Sequence, residues 1–122
     1  MLVDTNILIA YLGGDERVKN ALFELRSERG ALFLSTIVEA ELLCFEGWNL
    51  RERVAIERFL EENFVSIPFD RKMAMTAADI RRDVKLKFPD VAIAATALAL
   101  DVPIITRDKE FKKIRGLLIV II

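Results

Sequence analysis

Five short apolar runs, each separated from the next by a stretch of helical periodicity, set the tightest limit on what this chain can fold into. Leu2-Val3, Ala31 to Ser35, Val65 to Phe69, Val102 to Thr106 and Leu117 to Ile122 read as strands. Strands alternating with helices specify an α/β fold with a mostly parallel sheet and helices on both faces. At 122 residues the chain fits a single domain spanning 1–122, long enough to bury a core without a disulfide or metal staple.

The segments between the runs carry recognisable helix signals. Ile7 to Leu12 is a short apolar helix ended by Gly13-Gly14. Asp15 is placed to cap a helix reaching Arg29, whose Val18, Ala21, Leu22 and Leu25 form one stripe, with Gly30 just beyond its end. Thr36 with Glu39 has the spacing of a capping box at the head of a helix running to Phe45. Leu50 to Asn63 and Arg71 to Lys87 read as two further helices, the second stopped by Pro89. Val91 to Leu100 is rich in Ala and almost uncharged, which marks a buried helix. The run Leu117 to Ile122 lacks two-fold alternation, as expected of a strand covered on both faces or docked on a partner. Cys44 reads as a small core residue and Trp48 as a packing anchor or interface residue.

Composition narrows the chemistry. The chain has no His, so Ser-His-Asp triads, Cys-His pairs and His-ligated zinc are excluded. A single Cys builds neither an internal disulfide nor a thiolate cage. Catalysis is left to carboxylates, Lys and Arg, hydroxyls, backbone groups or an oxygen-bound cation. No apolar stretch reaches the ~18 residues of a membrane span, and no basic region precedes Arg17, so the expected location is cytoplasmic. With 18 basic and 19 acidic residues the net charge is −1; binding to nucleic acid would have to use local patches.

Ligands of open α/β sheets bind outside the carboxyl ends of the strands. Asp4 follows the first strand directly and Asp108 lies just past the fourth. Glu41 and Asp90 sit near the starts of helices from which they can reach the same edge. Taken singly, each has an ordinary reading: a turn acid at Asp4, a solvated face at Glu41, a helix N-terminal acid at Asp90, an N-cap at Asp108. Together they form a carboxylate cluster that is costly without protons or cations. All-oxygen ligands suit Mg²⁺ or Mn²⁺, and such a site points to a metal-dependent phosphodiesterase or phosphohydrolase. An Asp-x-Asp phosphatase is disfavoured, because Asn6 stands where its second acid would be.

Four blocks then match one family in order. Met1-Leu2-Val3-Asp4-Thr5-Asn6-Ile7-Leu8 resembles the opening of PIN-domain nucleases, and Ser35-Thr36-Ile37-Val38-Glu39-Ala40-Glu41-Leu42 their second motif. Pro89 to Ala97 resembles the third, and Ile104-Ile105-Thr106-Arg107-Asp108-Lys109-Glu110-Phe111 the fourth. The short length is similar to VapC-type toxins of prokaryotic toxin–antitoxin pairs. The resemblance implies a three-layer α/β/α fold with a five-stranded parallel sheet. It implies an endoribonuclease that uses Mg²⁺ or Mn²⁺ to activate water, with metal ligation and catalysis at Asp4, Glu41, Asp90 and Asp108. Thr5, Asn6 and Thr106 match its supporting polar positions. It also implies a homodimer and, for the toxin branch, a cognate antitoxin.

Arg81, Arg82, Lys85 and Lys87 cluster just before Asp90, and Arg107 adjoins Asp108. These are either a solvated face or phosphate contacts that guide RNA. A PIN nuclease of RNA maturation or decay without an antitoxin, and a non-catalytic PIN module binding RNA or protein, fit the same motifs.

Overall fold

All five strands run parallel, and each is no longer than the apolar run that contains it. The computed structural model describes residues 1–122. In chain order the elements are β1 (Leu2–Val3), α1 (Thr5–Leu12), α2 (Glu16–Arg29), β2 (Phe33–Ser35), α3 (Thr36–Leu43), α4 (Leu50–Asn63), β3 (Val65–Ile67), α5 (Arg71–Asp83), α6 (Phe88–Leu100), β4 (Ile104–Thr106), a 3-10 turn at Lys109–Lys113 and β5 (Ile119–Ile121). The sheet order is β3-β2-β1-β4-β5. The chain steps one way from β1 to β3, then returns across the sheet to β4 and β5. Right-handed crossovers therefore put α1 to α4 on one face and α5 and α6 on the other, giving the three-layer α/β/α arrangement.

The core sits around the central pair. Leu2 and Val3 of β1 and Ile104 and Ile105 of β4 have no exposed surface. In α6 every residue from Val91 to Ala97 is buried, and its alanines allow close approach. Burying a Leu, Ile or Val side chain contributes about 1.5–3 kcal/mol, so Ile7, Leu8, Leu34 and Val38, each fully buried, hold α1 and α3 against the sheet. No helix is long and apolar enough to cross a membrane.

The register positions the site. Leu2 pairs with Phe33 on one side and Ile104 on the other, and Val3 pairs with Ile105. The next residues, Asp4 and Thr106, therefore emerge side by side at the carboxyl edge, and the Asp4 amide donates to the Ile105 carbonyl at 3.0 Å.

Several local expectations need correction. The N-cap of α3 is Ser35, whose hydroxyl accepts from the Ile37 amide. Thr36 instead accepts from the Phe69 amide, and Glu39 accepts from the Ser66 hydroxyl, so no capping box forms there. A capping box does form at α4, between Asn49 and Glu52. Helix α5 ends at Asp83, with Val84 already extended. Pro89 does not stop α5, which has ended six residues earlier; it lies in the first turn of α6, where a missing N–H costs nothing. Strand β5 is an edge strand with Ile121 exposed, so the apolar run Leu117 to Ile122 is not sheathed on both faces. Cys44 is exposed at the end of α3. Trp48 is an anchor, donating its indole N–H to the Leu42 carbonyl at 3.0 Å.

Candidate active site

Asp4 is the centre of the carboxyl edge. It is the N-cap of α1 and only 4% exposed. Its Oδ1 accepts from the Thr5 amide at 2.7 Å, and its Oδ2 from the Thr106 hydroxyl at 2.6 Å. Each oxygen thus has one protein donor, and the remaining lone pairs are free for a ligand.

Thr106 explains why Asp4 is held so firmly. Its hydroxyl oxygen accepts from the Asp108 amide at 3.0 Å and from Asn6 Nδ2 at 3.3 Å. With both lone pairs taken, its one proton has only Asp4 as a destination. The residue is fully buried. It ties the end of β4, the start of α1 and the loop that carries Asp108 to a single oxygen.

Glu41 arrives from α3, which packs on α1, and its Oε1 accepts from the Thr5 hydroxyl at 2.9 Å. Thr5 therefore orients two acids, one through its amide and one through its side chain. Glu39 faces β3 instead, which separates the two glutamates of the second motif. Asp108 caps the 3-10 turn by accepting from the Glu110 amide. Asp90 lies in the first turn of α6. All four acids are in electrostatic range: Asp4 feels Glu41 and Asp108, and Asp90 feels Asp4 and Asp108. As they stand, no three of the acids are close enough together to hold a metal ion.

None of the four takes part in an ion pair; the pairs present are Lys19–Glu16, Arg53–Glu57, Arg107–Asp15 and Lys113–Glu110. Burial, with repulsion from Glu41 and Asp108, holds the Asp4 carboxyl above its ordinary range, even though Thr106 and Thr5 donate to it. Burial, then repulsion from Asp4 and Asp108, raises Asp90 as well, and Lys87 offsets only part of this. The donor chemistry, all oxygen and uncompensated, suits a hard divalent cation.

These two shifts have a signed consequence. A raised native pKa contributes stability that is fully present below the ordinary value of 3.8 and is lost as pH rises through the native value. At neutral pH the cation-free protein carries the cost. Asp90→Asn removes one repelling charge, and no hydrogen bond to Asp90 is lost with it. The variant is expected to melt at a higher temperature than the parent at pH 7 without divalent cations, with the gain shrinking on acidification. A lower melting temperature would mean that the favourable interaction of Asp90 with the α6 N-terminus outweighs the repulsion.

The basic residues fall where the sequence places them. Arg81 and Arg82 are in the last turn of α5, and Lys85 and Lys87 are in the connection that leads to Asp90. All four are exposed. Arg107 differs, because its guanidinium donates to Asp15 at 2.5 Å. Sequence reasoning attached no role at this edge to Asp15. The only sequence signal was its position as a cap, which says nothing about a partner 92 residues away.

The PIN domain model matches residues 1–117. No curated protein matches the sequence. Among solved structures, the chain is similar to a toxin–antitoxin complex from Klebsiella pneumoniae, with 31% identity, a TM-score of 0.79, and coverage of 98% of this chain and 94% of that one. It is similar to FitAcB from Neisseria gonorrhoeae, with 28% identity, a TM-score of 0.80 and coverage of 97% and 94%. It shares its fold with VapBC2 from Rickettsia felis bound to a promoter DNA fragment, at 24% identity, a TM-score of 0.84 and coverage of 99% and 97%. A family match over nearly the whole chain, and a sheet order that sets Asp4 and Thr106 side by side, lead to one assignment: the chain belongs to the PIN domain family.

Proposed function

We propose that this protein is a divalent-metal-dependent endoribonuclease, the VapC-type toxin of a toxin–antitoxin pair. The observation that carries the reading is the set of four carboxylates at one sheet edge with no basic partner. Asp4, Glu41, Asp90 and Asp108 are the residues that would hold Mg²⁺ or Mn²⁺. When bound, the cation supplies charge neutralisation, Lewis-acid polarisation of the phosphodiester and a lowered pKa for a coordinated water.

The chain's own residues do the positioning. Thr106 and Thr5 fix the two oxygens of Asp4, and Thr5 also fixes Glu41. Asn6 completes the hydrogen bonding of Thr106. Hydrolysis breaks the bond between phosphorus and the 3′-oxygen. Water supplies hydroxide to phosphorus and a proton to the leaving oxygen, so the products are a 5′-phosphate and a 3′-hydroxyl.

Arg81, Arg82, Lys85 and Lys87 flank Asp90 and suit the backbone of a single strand of RNA. The similarity to the toxin–antitoxin complex from Klebsiella pneumoniae supports a protein antitoxin as partner. A homodimer belongs to the same proposal.

The RNA assignment is tested by salt. In EDTA, the double variant Arg82→Ala, Lys85→Ala is expected to bind single-stranded RNA more weakly. Its log–log salt dependence should be shallower by about 0.7 for each phosphate that is no longer neutralised. An unchanged slope would take this cluster off the RNA path.

A further inference from the structure

Asp15 uses its two oxygens for different purposes. Oδ1 accepts from the Arg17 and Val18 amides at 3.0 and 3.3 Å and so starts α2. Oδ2 takes the Arg107 guanidinium at 2.5 Å. A helix cap needs only the first of these, and Asn or Ser would supply it as well. The second closes a ring. From Asn6 the chain runs along α1 and turns at Gly14, where φ is +88°, a value that glycine adopts freely. The turn ties the Asp15 amide to the Ala10 carbonyl at 3.0 Å. From Asp15 the ion pair crosses to Arg107, whose backbone amide donates back to Asn6 Oδ1 at 3.2 Å. Asn6 then donates to Thr106, the oxygen that also receives the Asp108 amide and donates to Asp4.

We propose that Asp15 is a positioning residue of the acid site. Through Arg107 it latches the loop that carries Asp108 to the start of α2, and so sets the Asn6–Thr106 hydrogen bonds that orient Asp4. The ion pair is partly shielded, with side-chain exposures of 41% for Arg107 and 30% for Asp15. The Arg107 hydrogen bond also holds the Asp15 carboxyl below its ordinary range. In this arrangement Arg107, though exposed, is engaged by Asp15, whereas none of the basic residues at 81–87 forms an ion pair.

The inference rests on the metal-binding reading, and its test separates the two. Mn²⁺ binding to the full chain is measured by calorimetry without RNA, for the parent, Asp15→Asn, Arg107→Ala and the double variant. Asp15→Asn keeps the helix cap and removes the charge. Loss of a group that orients metal ligands typically costs about 10–100-fold in affinity, and Asp15 acts from further out, through Arg107, Asn6 and Thr106. Each single variant is expected to bind Mn²⁺ about threefold to tenfold more weakly, and the double variant no more weakly than either, because both remove the same ion pair. Parent-like Mn²⁺ affinity in both single variants, with or without a lower melting temperature, would overturn the latch while leaving the metal site standing. Additive losses would overturn it too, by showing that the residues act separately. A parent that binds no Mn²⁺ would overturn both readings.

Discussion

Asp4→Asn is expected to abolish RNA cleavage, lowering the initial rate by about a thousandfold or more, a loss of about 4 kcal/mol of transition-state stabilisation. The carboxylate is 4% exposed, lies within electrostatic range of Glu41 and Asp108 and is coupled to Asp90, so no other acid can take its central place. The amide is a poor substitute even though its shape is the same. Thr106 already accepts two hydrogen bonds and donates its proton to Asp4 Oδ2. An Asn there sets its amide nitrogen against an oxygen with no lone pair left, or leaves the Thr5 amide without its acceptor. The variant must therefore be shown to fold, by circular dichroism, before its rate is read. Parent-like cleavage by folded Asp4→Asn would remove Asp4 from the chemistry.

The second large effect belongs to Thr106. Thr106→Val keeps the shape and removes the hydroxyl. Three groups then lose their partner: the Asp4 Oδ2, the Asn6 amide nitrogen and the Asp108 backbone amide. Each buried unsatisfied group costs about 1–3 kcal/mol, a penalty that falls in full on buried Asp4 and in part on half-buried Asn6 and Asp108, so melting temperature falls. Mn²⁺ affinity and cleavage are expected to fall about 10–100-fold, as for other groups that orient metal ligands. Thr106→Ser restores the hydroxyl and is expected to recover most of both. If Thr106→Val lost stability and kept parent-like Mn²⁺ affinity, its role would be packing alone. Recovery by Ser of stability without affinity would point the same way.

What could be read from the sequence, and what could not, follows from the range of each interaction. The sheet was legible because each strand is a local apolar run, and Asp4 and Asp108 were legible because each closely follows one. Asp15 as the cap of α2 was legible because a cap is a local interaction. The hub at Thr106 was not, since its bond to Asp4 joins residues 102 positions apart and exists only through the pairing of β1 with β4. The ion pair of Asp15 with Arg107 was hidden for the same reason. Glu39 and Glu41 do point to different partners, but not for the reason read from the sequence: Glu39 turns away to meet Ser66 on β3 and does not close a capping box. Of the two readings of β5, the strand covered on both faces is the one that fails, because its apolar run does not distinguish a covered strand from an edge strand. Its position at the sheet edge is set by the order of the other four, which no local pattern encodes.

The four acids also fit a familiar trade between stability and function. A sheet edge with a merely structural role would pair them with bases, and the protein has 18 Lys and Arg from which to draw. None is used that way at this site. Their role is tested most directly by cleavage of a mixed RNA pool by the purified chain, first in EDTA and then after Mn²⁺ is restored in excess. The account predicts no cutting in EDTA and recovery with Mn²⁺, leaving 5′-phosphate ends. Cutting that continues undiminished in EDTA, or no cutting of any RNA in either condition, would contradict it.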